Sequence, residues 1–140
     1  MTRILLVEDK MAIRLTISAV LEEEGFDIEC ASDGLEAIKM VNDGGGSGFS
    51  LIISDIMMPN LNGIEFVTGL RAVNDQTPVL FISGGGYNMG AEDMLNAAGK
   101  ISDGVLKKPF SNQYLVGKVK NSLRKKRLIK RGDGACLMKI

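Results

Sequence analysis

Residues 51–60, LIISDIMMPN, run apolar and then turn abruptly to an acid, two methionines and a proline. A short apolar run bounded by turn residues reads as a strand buried on both faces. An acid closing such a strand, here Asp55, emerges at the edge of the sheet where open α/β folds gather their ligands. Whether that edge exists depends on what flanks the stretch.

Upstream, RILLV (3–7) is a second apolar run, ending at the acidic pair Glu8-Asp9. Ile13, Ile17, Val20 and Leu21 then fall on one helical face, and Gly25 supplies a stop. FDIECA (26–31) alternates as a strand does, and Ser32 or Asp33 can cap a second helix through Val41. NDGGGSG (42–48) reads as a flexible loop without helix or strand character.

Downstream, a helix is expected from Asn62 to Val73, with Ile64, Val67 and Leu70 inward. Pro78 opens a fourth strand, PVLFIS, followed by a glycine run and a short helix near 91–98. GVLKK (104–108) is the fifth strand, and Ser111 caps a last helix with Leu115, Val119, Ser122 and Leu123 on one face. Strands alternating with helices predict a five-stranded parallel sheet wrapped on both faces. Residues 1–124 form one domain in this reading, and 125–140 a basic tail that frays.

Composition narrows the chemistry. There is no His, which removes Ser/His and Cys/His catalysis and the histidine metal sites. Cys30 and Cys136 form no C-x-x-C pair and, with no signal peptide or apolar span at the start, read as reduced thiols of a cytoplasmic protein. The net charge of zero hides an asymmetry. Residues 1–117 carry 8 Lys/Arg against 16 Asp/Glu, a charge of −8, and residues 118–140 carry 9 against 1, a charge of +8. An acidic body without aromatics interleaved in the basic run argues against nucleic-acid contact, and favours a solvated helix end.

In a parallel sheet all the carboxyl ends open on one edge. Glu8-Asp9, Asp55, Ser83 and Lys107-Lys108 would converge there. Three neighbouring carboxylates repel, so one must protonate or a cation must bind. Oxygen donors favour a hard ion such as Mg²⁺. A carboxylate can attack phosphorus to form an acyl phosphate, and the transfer needs chiefly positioning and charge neutralisation.

These motifs, taken in order, resemble the receiver domain of two-component response regulators, the single-domain chemotaxis type in particular. Glu8-Asp9 follows the first strand, DIMMPNLNG (55–63) fits D-x-x-M-P-x-x-x-G, Ser83 ends strand four, and Lys108 precedes Pro109-Phe110. The resemblance implies a flavodoxin-like fold with strand order 2-1-3-4-5, an order known for the family and not read from the pattern. It implies that Asp55 is the phosphoacceptor, that Asp9 binds Mg²⁺ directly, that Glu8 acts through water, and that Met57 offers its backbone carbonyl. Ser83 would hydrogen-bond the phosphoryl oxygens and Lys108 would pair with them, across a cis Lys108–Pro109 bond. The donor would be a sensor histidine kinase or histidine phosphotransfer protein, and the output partner is one the sequence does not name. Such a chain is a signalling module that catalyses only its own phosphorylation and dephosphorylation.

The chain departs from the family at Val105, where an aromatic is common, and in the glycine-rich segment after Ser83, whose ordering could itself carry the signal. Two other classes compete. A phosphohydrolase with an aspartyl nucleophile would want a second acid two residues on, where Met57 stands. A receiver-like binding module that never takes phosphate would lack one of the acids or the lysine, and all are present.

Overall fold

The computed structural model describes residues 2–43, 48–58, 60–73, 75–84 and 98–130. β1 (Arg3–Val7), β2 (Asp27–Ala31), β3 (Leu51–Asp55), β4 (Val79–Ser83) and β5 (Gly104–Lys107) make one sheet, with α1 (Met11–Glu23), α2 (Gly34–Asp43), α3 (Gly63–Ala72) and α4 (Asn112–Lys130) around it. The strand order is β2-β1-β3-β4-β5 and every pairing is parallel. The flavodoxin-like α/β fold expected from the sequence is therefore the fold observed.

The apolar runs are continuous because their side chains serve two cores. Leu5, Val7, Ile52, Val79 and Phe81 pack with Ala37, Val41, Phe66, Val67 and Leu70 of α2 and α3. Ile4, Leu6, Ile53, Leu80 and Ile82 pack with Ile17, Leu21, Leu115 and Val119 of α1 and α4. Successive strand residues point to opposite faces. All five residues of β3 are buried. β2, at an edge of the sheet, is half-exposed and carries Asp27 and Glu29, polar residues that suit an edge strand.

The helix ends follow their local chemistry. Gly25, at φ 91°, lets its N–H bond the Glu22 carbonyl and Phe26 N–H bond that of Leu21, which closes α1 as a Schellman turn. Asp33 caps α2 through the Glu36 N–H at 2.8 Å. Asn62 and Glu65 form a reciprocal capping box on α3. The Ser111 hydroxyl accepts the Tyr114 N–H at 3.0 Å at the start of α4.

Two expectations shift, and others fall wholly or partly outside the described residues. Asn42 and Asp43, assigned to the glycine loop, are the last residues of α2, and 44–47 lie outside the described residues. Phe66, which the expected inner face of α3 omits, is fully buried, whereas Ile64 is half-buried. The short helix near 91–98 lies outside the described residues except at Ala98, where a helical turn covers 98–101. α4 continues through Lys130 with no break in the backbone at residue 124, and 131–140 lie outside the described residues.

Candidate functional site

The parallel register brings the strand ends together. Val7 pairs with Ser54 and Asp55 with Ile82, so Glu8, Asp55 and Ser83 leave adjacent strands at the same edge. Carboxylate oxygens of Glu8, Asp9 and Asp55 all lie within 4.8 Å of one another. Glu8 is fully buried and Asp55 is 5% exposed, with Asp9 half-buried between them.

Lys108 enters from the segment after β5. Its Nζ is 3.5 Å from Glu8 Oε1 and 4.0 Å from Asp55 Oδ2, with 21% of its side chain exposed. Lys107 is exposed, and of the two lysines Lys108 is the one within reach of the acids. The Lys108–Pro109 peptide is cis. Lys108 N–H donates to the Ser83 carbonyl at 2.8 Å, which ties the lysine's backbone to the end of β4. Ser83 itself is half-buried, in register with Lys107.

Beyond Asp55, the Met57 N–H donates to Asp55 Oδ1 at 3.3 Å while its side chain is 54% exposed. Met58 packs against the α2–α3 core, as its apolar character predicts. The chain then reaches Gly63, whose N–H donates to the Ile56 carbonyl at 2.8 Å. A Cβ on Gly63 would stand 2.3 Å from the Asp55 carbonyl oxygen and 2.9 Å from the Phe81 ring. The glycine that closes DIMMPNLNG is thus the seat of α3 upon the end of β3. Val105 is half-buried against the α2–α3 core.

Two supporting groups have no signature in the sequence pattern. Arg14 Nη1 donates to the Glu8 backbone carbonyl at 2.8 Å, and the buried Ser54 hydroxyl donates to the Asp55 carbonyl at 2.9 Å. Their receptors are main-chain oxygens, which every residue has. Only the position of Arg14, one turn beyond Lys10, could have hinted at the first.

Crowding governs the electrostatics. Burial pushes the Glu8 carboxyl up from 4.5 to about 7; the Lys10 N–H holds it back, and the neighbouring Asp55 charge raises it further. Asp55 is also raised, first by burial, against the opposing pull of Lys108 and the Met57 N–H. One lysine does not neutralise three acids. Among the described residues, Glu8 Oε1 and Asp9 Oδ1 are buried with no hydrogen-bond partner. The Lys108 contact with Glu8 Oε1 is a charge pairing too long to be a strong hydrogen bond. Orphaned oxygens in an all-oxygen donor set fit a hard divalent cation.

A sequence model described as the response regulator receiver domain matches residues 4–120. The chain is 35% identical over 125 residues to the transcriptional regulatory protein CpxR homolog of Haemophilus influenzae, covering 89% of this chain and 52% of that one. It spans about half the length of the curated relatives it matches. Among solved structures, the Francisella response regulator 1452 receiver domain superposes with a TM-score of 0.76 at 31% identity, over 90% of this chain and 99% of that one. The Vibrio cholerae chemotaxis protein CheY4 gives 0.72 at 31% identity, over 87% and 98%. With a family match across most of its length, a 2-1-3-4-5 parallel sheet and an acid cluster at the sheet's carboxyl edge, the chain belongs to the response regulator receiver domain family of two-component systems.

Proposed function

We propose that the chain is a phosphoacceptor switch in which Asp55 receives a phosphoryl group from a phosphohistidine, with Mg²⁺ bound by the acid cluster. The observation that carries the reading is the convergence of three buried or half-buried carboxylates within 4.8 Å, two with an orphaned oxygen, beside a single lysine. Asp9 and Asp55 would hold the cation directly, Glu8 through water, and Met57 by its backbone carbonyl. Bound there, Mg²⁺ would neutralise charge on the phosphoryl oxygens.

The chain's own residues do the rest. An Asp55 carboxylate oxygen attacks phosphorus in line; the O–P bond forms as the donor's N–P bond breaks, and the electron pair returns to the imidazole. The Met57 N–H steadies the other Asp55 oxygen. Lys108, already within reach of Asp55, pairs with the incoming phosphoryl group, and the Ser83 hydroxyl donates to it from the end of β4. The added charge draws both groups inward and biases the β4 side of the domain between two states. Water can later attack the same phosphorus, breaking the Asp55 O–P bond, which releases inorganic phosphate and returns the carboxylate. The donor is a sensor histidine kinase or a histidine phosphotransfer protein in the cytoplasm, and the output is a protein contact. No described helix is long and apolar enough to cross a membrane.

The test is intact-protein mass after incubation with acetyl phosphate, with and without Mg²⁺, for wild type and Asp55→Asn. The expected result is one phosphoryl adduct that requires Mg²⁺ and is absent from the variant. An adduct that survives in Asp55→Asn, or a wild type that takes none from acetyl phosphate or from a panel of kinases, rejects the reading.

A further inference from the structure

The turn that carries Glu8 and Asp9 has no side-chain cap of its own. Lys10 stands at the N-cap of α1 in extended conformation and makes no side-chain capping bond. Three contacts hold the turn. The Glu8 N–H donates to the Ala31 carbonyl of β2 at 3.0 Å, and the Lys10 N–H donates to Glu8 Oε2 at 3.1 Å. The third hold is Arg14, whose own N–H closes the first turn of α1 on the Lys10 carbonyl at 2.9 Å and whose Nη1 reaches back to the Glu8 carbonyl at 2.8 Å.

That carbonyl belongs to the peptide between Glu8 and Asp9. Its direction sets the rotation of the peptide plane, and hence where the Asp9 side chain leaves the backbone. Among the described residues, Arg14 forms no ion pair with a carboxylate. A half-buried guanidinium is thus spent on one main-chain oxygen, through a charge-assisted bond stronger than a neutral one.

We propose that Arg14 is a positioning residue for the acid site: by fixing the Glu8–Asp9 peptide it keeps both carboxylates turned toward Asp55, in the arrangement a divalent cation needs. Arg14 touches no reacting atom. Its part resembles that of the groups that orient metal ligands from behind, whose removal typically costs about 10–100-fold in metal affinity or activity. The proposal rests on the phosphoacceptor reading above.

The experiment is calorimetric titration of the full chain with Mg²⁺ alone, for wild type, Arg14→Met, Arg14→Lys and Asp9→Asn, with thermal melts in EDTA alongside. Methionine keeps an unbranched stem and helix propensity but has no donor; lysine keeps a charged donor. The expected result is a loss of about tenfold in Mg²⁺ affinity for Arg14→Met, mostly recovered in Arg14→Lys, with EDTA melting temperatures that do not follow that order. Arg14→Ala replaces the methionine variant should that one fail to fold. Wild-type affinity in Arg14→Met overturns the proposal, as does an Arg14→Lys as weak as Arg14→Met. A wild type that binds Mg²⁺ and takes the Asp55 adduct beside an Arg14→Met of equal affinity overturns the role of Arg14 only. A wild type that binds no Mg²⁺ and takes no adduct overturns both.

Discussion

Glu8 is the residue where the fold and the site oppose each other. Its carboxyl is fully buried, and burial raises it to about 7, so the folded state holds a proton there that the unfolded chain releases near 4.5. Between those values the folded state binds more protons, and its stability falls as pH rises. The contribution is whole below pH 4.5 and lost by the time pH passes 7; the raised Asp55 acts in the same direction. Without metal, the melting temperature should therefore drop between pH 5 and pH 8. The rise in melting temperature caused by Mg²⁺ should be larger at pH 8 than at pH 6, because only the ionised cluster invites the cation. Thermal melts across that range, with EDTA or Mg²⁺, check both; a Mg²⁺ effect indifferent to pH would contradict the assignment. At this scale the sequence was most legible where an acid or a lysine interrupts an apolar strand, as at Glu8, Asp55 and Lys108. It was silent on Arg14 and Ser54, because a side chain bonded to a backbone carbonyl selects no partner residue type.

The elements were legible to the extent that their ends have chemistry of their own. Gly25, Asp33, Asn62 and Ser111 all stop or start helices where their residue types predict. Rotation of a helix is harder to read. Ile64, Val67 and Leu70 define a face, yet Phe66 lies within the same arc and is as fully buried as Val67, while Ile64 stays at the rim. The joint between β3 and α3 has a sharper requirement. Ala at residue 63 would gain helix propensity of up to about 1 kcal/mol over Gly. It would also place a methyl 2.3 Å from the Asp55 carbonyl oxygen, and backbone on both sides limits relief. The clash should win, so Gly63→Ala is expected to lose about 1–3 kcal/mol in urea unfolding. Because α3 must lift off the end of β3, the variant should also bind Mg²⁺ more weakly. An unchanged urea midpoint would show that the Met57–Asn62 loop yields freely and that α3 does not hold Asp55 in place.

At the scale of the molecule, an acidic body and a basic end share one helix. α4 is anchored by Leu115, Val119 and Ser122, all buried, by the partly buried Leu123, and by the ion pair of Lys120 with Glu24 at 2.8 Å. Arg124 and Lys125 are exposed, and cations at a helix C-terminus favour its continuation, which accounts for a helix that runs to Lys130. Removing residues 125–140 takes away 6 Lys/Arg and 1 Asp and leaves residues 1–124 at −5. Lys125, the one residue of this segment with a described burial, is exposed, and the packing term is expected to be near zero. The electrostatic term is not zero: the cut takes the net charge from zero to −5, while Glu22, Glu23 and Glu24 crowd the end of α1, where the helix dipole already disfavours negative charge. Screening over about 8 Å at physiological ionic strength removes most of such an effect. A chain ending at Arg124 should therefore melt below the full chain in low salt, match it at physiological salt, and show the same Mg²⁺-dependent gain and the same Asp55 adduct. Differential scanning calorimetry at two ionic strengths separates the terms. A deficit that persists in salt would mean that residues 125–140 pack on the body, and that the domain does not close at residue 124.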